Sequence, residues 1–325
     1  MTKRQIWLSL ITLVLFAIVP PLTIIFDQPF YMDMMARIMI FAMAAVSLDL
    51  ILGYGGMVSF GHAAYMGVGA YAVGILSYYG IDNGFLQFPL AMAASAIIGL
   101  AFGAMSLRTT GVYFIMITLA FAQMLYFFAI SLEEFGGDDG MSSMRSEFAG
   151  LIDLNDSLQF YYLVFICLGV VLYLLHRLVQ SRFGMVIRAA RSNDKRMQAV
   201  GFSTYRYKLA GFTIAATICG LAGALFANLN EFVSPDVMHW THSGEIMIMV
   251  IMGGIGTLIG PVLGASAFLL LEEYLPEWMD MVMKDAGEHW AIIMGPVLIA
   301  IVLFGRGGIH ALFTSKAKAK GGNHD

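Results

Sequence analysis

The basic side chains of this sequence are concentrated in one stretch. Residues 177–208 contain eight of the eighteen Lys and Arg residues of the chain and only one acid, Asp194. Long apolar runs flank the stretch on both sides, so it is predicted to be a loop between two membrane helices. Because basic loops of membrane proteins are retained in the cytoplasm, we expect this loop to lie there, where a soluble protein can contact it.

The spacing of the charges within this loop predicts a helix. Arg188, Arg191 and Lys195 recur at positions i, i+3 and i+7, so a helix would carry them on one face. Gly184 and Gly201 bracket the segment, and Gly201 is typical of a residue that ends a helix. The pattern favours a docking face for a protein partner, although contact with anionic lipid headgroups would also account for the charges.

Side chains for metal binding or catalysis are scarce. His239 and His242 form an H-x-x-H pair, but no third ligand lies near them in the sequence, so we predict no metal site. Cys167 and Cys219 lie inside apolar runs, which argues against a disulfide framework or a cysteine-based metal site. The phosphate-binding pattern G-x-x-x-x-G-K-[ST] does not occur, and no nucleophile-plus-base arrangement stands out. We therefore expect neither an enzyme nor a bound cofactor, and no nucleic-acid partner.

The elements that position these residues are predicted to be membrane helices. The chain of 325 residues is 59% hydrophobic and 12% charged, whereas a soluble domain has about 25% charged residues. We predict an all-α polytopic membrane protein that forms one domain over residues 1–325, with a cytoplasmic loop at about 179–208. The predicted spans are Ile6–Phe26, Met34–Leu52, Val58–Tyr79, Phe85–Leu107, Val112–Leu132, Phe160–Leu178, Leu209–Leu229 and Trp290–Phe304.

The charges of the loops predict the topology. The loop Glu133–Asp156 has seven acids and one base, and the loop Glu272–His289 has six acids and one base, so both are expected outside. A single membrane helix through Glu245–Leu271 would place the loop Glu272–His289 in the cytoplasm, whereas two short segments that turn near Gly253–Gly260 keep it outside. We predict about ten membrane segments with both termini in the cytoplasm, some helices short or broken, and a retained first helix rather than a cleaved signal peptide.

Glycine is concentrated in both halves of the chain, with seven glycines in residues 53–74 and five in residues 253–264. Such clusters are explained either by close helix packing or by helix breaks beside a substrate pathway. The candidate pathway or helix-break residues are Gly55, Gly56, Ser59, Gly61, His62, Gly253, Gly254, Gly256 and Gly260.

Ionisable residues within the predicted spans are few. His62 is interpreted as a polar pathway residue or a packing histidine, and Arg37 and Asp49 are expected to reach toward the membrane surface. The lack of carboxylates across successive spans weakens the alternative of an ion-coupled secondary transporter.

Several motifs together resemble the M-type permeases of branched-chain amino acid ABC importers. The motifs are R-F-G-M-V-I-R-A-A-R-S-N-D (182–194), A-V-G (199–201), Y-R-Y-K-L (205–209), C-G-L-A-G-A (219–224), G-Y-G-G-M-V-S-F-G-H-A-A (53–64), M-G-G-I-G-T-L-I-G-P-V-L-G-A (252–265) and F-G-R-G-G (304–308). The resemblance covers nearly the whole chain. One departure is Asn193-Asp194, where the family pattern would have a more acidic pair.

The resemblance implies a permease subunit in a bacterial inner membrane. Its implied partners are a second, paralogous permease, two ATP-binding cassette subunits that bind the ATP, a periplasmic substrate-binding protein and membrane lipid. The loop between segments six and seven would dock on the ATPase, which makes Arg188, Arg191, Asp194 and Gly201 the candidates for coupling. Branched-chain amino acids are the expected substrate, and urea, short amides or aromatic acids are alternatives because fold alone does not decide specificity.

Overall fold

The chain is almost entirely helical. The computed structural model describes residues 3–25, 30–148, 150, 152–282, 292–296, 299, 307–309 and 311. Its helices are α1 (Lys3–Ile25), α2 (Phe30–Asp49), α3 (His62–Tyr78), α4 (Gly84–Ser106), α5 (Val112–Ile130), α6 (Ser157–Gln180), α7 (Arg182–Ser192), α8 (Asp194–Ala199), α9 (Thr204–Asn230), α10 (Trp240–Gly253) and α11 (Gly260–Val282). Two short strands, β1 (Met141–Ser142) and β2 (Phe232–Val233), pair antiparallel.

Five helices are long and apolar enough to cross a membrane. They are Phe30–Tyr54, Gly84–Ser106, Val112–Ile130, Ser157–Gln180 and Thr204–Asn230. The all-α membrane architecture is therefore confirmed, whereas the number of ten segments and the side on which the termini lie stay predictions. The last predicted span, Trp290–Phe304, lies largely outside the described residues.

The helix α2 forms the centre of the bundle. Nearly all of its side chains are buried, and it packs against α6, α9, α10 and α11. In contrast, α4 and α5 are largely apolar and leave most of their side chains partly or fully exposed, as expected of helices that face lipid.

The two ends of the bundle differ in charge. At the end that we call the acidic end, the acid-rich loop 133–156 is held by the β1–β2 pair and by a 2.8 Å ion pair between Arg145 Nε and Glu231 Oε1. The opposite end, which we call the basic end, carries α7 and α8. The acid-rich and base-rich loops therefore lie at opposite ends of the same helices, as the loop charges predict.

Both glycine clusters coincide with helix breaks. After α2, residues Leu50–Tyr54 form a π-helical turn, and α3 begins only at His62, so the first four residues of the predicted span Val58–Tyr79 are not helical. The predicted break near Gly253–Gly260 is confirmed, because α10 ends at Gly253 and α11 begins at Gly260. However, α11 continues to Val282, so the first part of the predicted external loop Glu272–His289 is helical instead.

The basic loop contains two helices rather than one. The break falls at Asn193, whose side-chain Oδ1 accepts the Arg196 N–H at 2.9 Å and so caps the start of α8. Lys195 therefore lies on α8 and does not share a face of α7 with Arg188. The expected role of Gly201 as a terminator is confirmed, since it follows α8 with φ +97°.

Candidate functional site

The candidate site lies at the basic end, where both helix breaks meet α7. Asp49, the last residue of α2, is almost fully buried, although it was expected to reach toward the membrane surface. Its Oδ1 accepts the backbone N–H of Gly256 at 2.8 Å. Among the described residues its Oδ2 has no hydrogen-bond partner. The carboxylate therefore binds the turn between α10 and α11 to the end of α2.

Glycines are required where these segments touch. A Cβ atom at Gly53 would overlap both the Asp49 carboxylate and the Gly256 backbone nitrogen. Gly56 and Gly256 have φ values of +69° and +76°, a backbone conformation that favours glycine. The glycines here serve close backbone contact and special turns at the same time.

Arg191 connects α7 to this contact. Its Nη1 donates a hydrogen bond to the carbonyl oxygen of Gly53, and its side-chain stem lies against Gly56. A Cβ atom at Gly56 would come within 2.8 Å of the Arg191 Cγ. We call Asp49, Gly53, Gly56, Arg191 and Gly256 the glycine junction. It joins α2, α7 and the α10–α11 turn through one charged side chain from each of the first two helices.

The other predicted coupling residues hold the basic loop together. Arg188 donates from Nε to the Gly184 carbonyl at 3.3 Å and from Nη2 to the Val179 carbonyl at 3.2 Å. The bond to Val179 satisfies a carbonyl group where α6 turns into α7. Asp194 binds Lys208 Nζ at 3.0 Å through Oδ1, which fastens α8 to the start of α9. Arg188, Arg191 and Asp194 thus all have partners within the chain.

The second glycine cluster combines a capped turn with close packing. The Thr257 hydroxyl donates to the Gly254 carbonyl at 2.7 Å and accepts the Gly260 N–H at 3.1 Å. Gly254, with φ +123°, follows the last residue of α10. A Cβ atom at Gly253 would overlap the Gly260 carbonyl, so α10 and α11 approach without intervening side chains. Close packing accounts for Gly253 and Gly260, and the turn accounts for Gly254 and Gly256.

The remaining candidates lie in the core, around the start of α3. His62 is fully buried, and its Nε2 lies 2.7 Å from the Ser47 hydroxyl. Because that hydroxyl donates to the Ala44 carbonyl, Nε2 must be the donor to Ser47, which leaves Nδ1 as an acceptor without a partner among the described residues. Ser59 accepts the Gly61 N–H at 3.3 Å.

These core groups fix the backbone and the packing at the start of α3 in the present conformation. Gly55 and Gly56, by contrast, line a cavity at the basic end. A pathway role for any of these residues stays a prediction.

The histidine pair at the acidic end makes local contacts. His242 Nδ1 lies 2.8 Å from Glu245 Oε2, and its Nε2 lies 3.3 Å from Asp236 Oδ2. The hydrogen bond to Glu245, and then the bond to Asp236, raise the pKa of His242 above its ordinary value against the opposing effect of burial. His239 Nδ1 lies 2.9 Å from the Thr241 hydroxyl. No three His, Cys, Asp or Glu side chains come together as metal ligands in the part of the chain that the structure describes.

Sequence reasoning did not select two residues of the junction, Gly53 and Asp49, and Asp49 is its charged centre. The available signal was a single acid at the end of a long apolar run, four residues before Gly53. An acid in such a position is costly unless a donor binds it. Its donor, Gly256, lies 207 residues away in sequence, so the sequence alone does not show the contact.

The lipid-facing helices and the two helix breaks define a multi-pass membrane protein. Residues 30–302 match the family model described as "Branched-chain amino acid transport system / permease component". The chain therefore belongs to this family of transport permeases.

Known permeases of this kind are similar over most of the chain. The high-affinity branched-chain amino acid transport system permease protein LivM of Salmonella typhimurium is 28% identical, over 89% of this chain and 72% of that protein. The probable branched-chain amino acid transport permease protein LivM of Methanocaldococcus jannaschii is 25% identical, over 82% of this chain and 86% of that protein. LivH of Escherichia coli K12, a permease protein of a high-affinity branched-chain amino acid transport system, is 21% identical, over 82% of this chain and 91% of that protein. No solved structure is significantly similar to this chain.

Proposed function

We propose that this chain is the membrane-spanning permease subunit of an ATP-driven importer in a bacterial inner membrane, and that it carries branched-chain amino acids. Family membership supports the permease role, and the named activity of the LivM relatives supports the substrate. The similarity to both LivM and LivH supports pairing with a second, paralogous permease. Two ATP-binding cassette subunits and a periplasmic binding protein complete the proposed assembly, and the ATPase activity belongs to the cassette subunits.

The observation that carries the coupling mechanism is the contact of Arg191 with the first helix break. In the proposed cycle, ATP binding closes the ATPase dimer and draws α7 and α8 with it. Because Arg191 is bonded to the Gly53 carbonyl, a movement of α7 pulls on the π-helical turn after α2. The Asp49–Gly256 bond passes the same movement to the turn between α10 and α11. The two helix breaks then change conformation together, in addition to any tilt of α6 and α9.

The docking surface for the ATPase in this proposal is the outward side of α7 and α8. Arg182, Met185 and Lys195 are exposed, as is Val200 just after α8. Arg188 and Arg191 are also exposed, but their guanidinium groups bond to backbone carbonyls within the permease. Exposed basic and apolar side chains together suit a partner with an acid-rimmed apolar cleft. Arg188 and Arg191 then transmit the movement rather than recognise the ATPase.

Reconstitution tests the proposal. The chain is co-expressed with its neighbouring transport genes, purified through a tag on the permease, and placed in liposomes with the binding protein outside. We expect ATP-hydrolysing subunits to co-purify, and uptake of labelled leucine, isoleucine and valine to require ATP inside. Uptake driven by an ion gradient without ATP would contradict the importer. Uptake of urea, a short amide or an aromatic acid in place of leucine would support the proposed importer but contradict the proposed substrate.

A further inference from the structure

A cavity of about 400 Å³ lies at the basic end beside the glycine junction, and the proposed coupling mechanism does not use it. Its walls come from residues 55–58, residues 107–115, the two helices of the basic loop, and the start of α9. Cavities of this size hold small organic molecules. Any molecule bound there would touch α7, α8 and the first helix break at once.

The walls of this cavity combine an apolar surface with charges of both signs. The non-helical segment and the start of α5 contribute Met57, Val58, Phe114 and Ile115. The basic loop and α9 contribute Arg191, Asp194 and Lys208.

The charged groups retain capacity to bind a ligand. Arg191 gives one N–H to the Gly53 carbonyl, but a guanidinium carries five N–H donors. The Lys208 side chain is 20% exposed and the Asp194 side chain is 38% exposed. Asp194 binds Lys208 through Oδ1 and accepts the Gln198 Nε2–H at 2.9 Å through Oδ2, and because a carboxylate has about four lone-pair sites, Oδ2 can accept a further hydrogen bond. The ammonium of Lys208 has three donors, and Asp194 occupies one direction. Two cations and one carboxylate beside an apolar wall complement a molecule that carries a carboxylate, an ammonium and an aliphatic body.

We propose that this cavity binds a free aliphatic α-amino acid from the side of the basic loop. The ligand carboxylate lies between Lys208 and Arg191, its ammonium binds Asp194, and its side chain packs against Val58, Phe114 and Ile115. A bound amino acid bridges α7 and α8 to residues 55–58 and so opposes their movement. Accumulated product on that side then slows import, a consequence that rests on the proposed function, whereas the binding itself does not.

Binding is measured on the complete transporter in nanodiscs, without the binding protein, by titration with leucine, isocaproate and isopentylamine. Isocaproate keeps the aliphatic body and the carboxylate of leucine, and isopentylamine keeps the body and the ammonium. We expect each truncated analogue to bind about tenfold more weakly than leucine, because each loses a hydrogen bond to a charged group. Absence of leucine binding, or isocaproate binding equal to that of leucine, overturns the proposal.

Two variants test whether the ligand binds in this cavity. Lys208→Met is expected to weaken leucine and isocaproate alike, and Asp194→Asn to weaken leucine about tenfold while leaving isocaproate unchanged. Arg108→Met is the matched control, since Arg108 is an exposed cation on the α4–α5 connection that does not line the cavity. Leucine binding that both cavity variants leave unchanged, or that Arg108→Met weakens equally, overturns the assignment.

The regulatory consequence is tested by loading proteoliposomes with leucine. We expect internal leucine to slow initial uptake by the wild-type transporter, and Asp194→Asn to remove that inhibition at leucine concentrations that saturate the wild type. Uptake without any leucine binding to the nanodisc complex overturns the cavity and leaves the proposed function standing. Leucine binding by a complex that shows no ATP-dependent uptake refutes the proposed function and leaves the cavity standing.

Discussion

Replacement of Asp49 separates its two contributions to the glycine junction. The Asp49 carboxylate accepts the Gly256 N–H at 2.8 Å and is almost fully buried, and the Arg191 guanidinium, bonded to the Gly53 carbonyl, lies close to it. In Asp49→Asn, the amide oxygen can still accept the Gly256 N–H, but the attraction to Arg191 is lost. In Asp49→Ala, both are lost, and the half-buried N–H of Gly256 loses its acceptor.

The structure gives the order and the rough size of the two effects. A hydrogen bond to a charged group is about twice as strong as a neutral one, so Asp49→Asn should weaken the junction by about 1 kcal/mol. Removal of a hydrogen bond to a charged group costs about 2 kcal/mol, which is the expectation for Asp49→Ala. These energies correspond to roughly fivefold and about thirtyfold shifts between the joined and the separated junction.

The assay compares ATP hydrolysed with leucine imported by the reconstituted transporter. We expect the number of ATP molecules hydrolysed per leucine to rise from wild type to Asp49→Asn and further to Asp49→Ala, because α7 moves without carrying the breaks. Asp33→Asn is the control, since Asp33 lies at the other end of α2 and is exposed. Thermal unfolding in detergent is measured for each variant, so that only folded protein is compared. Normal coupling by a folded Asp49→Ala transporter would refute this account of the junction.

Three further predictions address other contacts. Gly56→Ala should lower transport, because it strains a residue with φ +69° by about 1–2 kcal/mol and displaces the Arg191 stem. The control Gly80→Ala should leave transport near wild type, since Gly80 has a similar φ of +72° but open space around it. Equal transport by both variants would argue against a special role of Gly56. Arg188→Met should lower the midpoint of thermal unfolding, because it removes the side-chain donor to the Val179 carbonyl at the turn from α6 to α7, whereas Arg206→Met, on an exposed residue of α9, should not. An unchanged midpoint for both variants would contradict this. The His242 contacts should stabilise the fold most below about pH 6.5, the ordinary histidine pKa, and lose that effect as the pH rises through the raised pKa of the folded state. The check is the midpoint of thermal unfolding of wild type and His242→Gln, measured from about pH 5.5 to about pH 8.5. A difference between the two midpoints that stays constant with pH would contradict the prediction.

The sequence predicted the features that depend on local pattern. Long apolar runs gave the helices, and the parity of loop charges required the break between α10 and α11, which the structure contains. It also predicted Gly201 as the end of the basic helical segment, since a glycine at a helix terminus has a local signature. The break at Asn193 was missed because the helical spacing of the basic residues continues through it, although the Asn193 side chain caps α8.

Long-range contacts could not be predicted in the same way. Arg191 was selected as a basic residue that would face the ATPase, yet its partner Gly53 lies 138 residues earlier in the chain. Asp49 was expected at the membrane surface because it lies near the end of an apolar run, and its partner Gly256 lies 207 residues further along the chain. Both assignments depend on the tertiary contacts among α2, α7 and the α10–α11 turn, and these contacts cannot be derived from a single sequence.

The position of the junction gives the glycine clusters a mechanical reason to lie in both halves of the chain. A movement applied to the end of a straight helix is resisted by all of its packed side chains, as for the buried α2. A π-helical turn followed by glycines offers fewer side-chain contacts to break, so the same force moves it further. Arg191 acts on the first break and Asp49 transmits to the second, so the two halves respond together only while both bonds are present. If this reasoning holds, the double variant Arg191→Met and Asp49→Asn should uncouple transport to about the same extent as the stronger of the two single variants, because the two bonds act in series. Uncoupling by the double variant that equals the product of the two single effects would show that the bonds act independently.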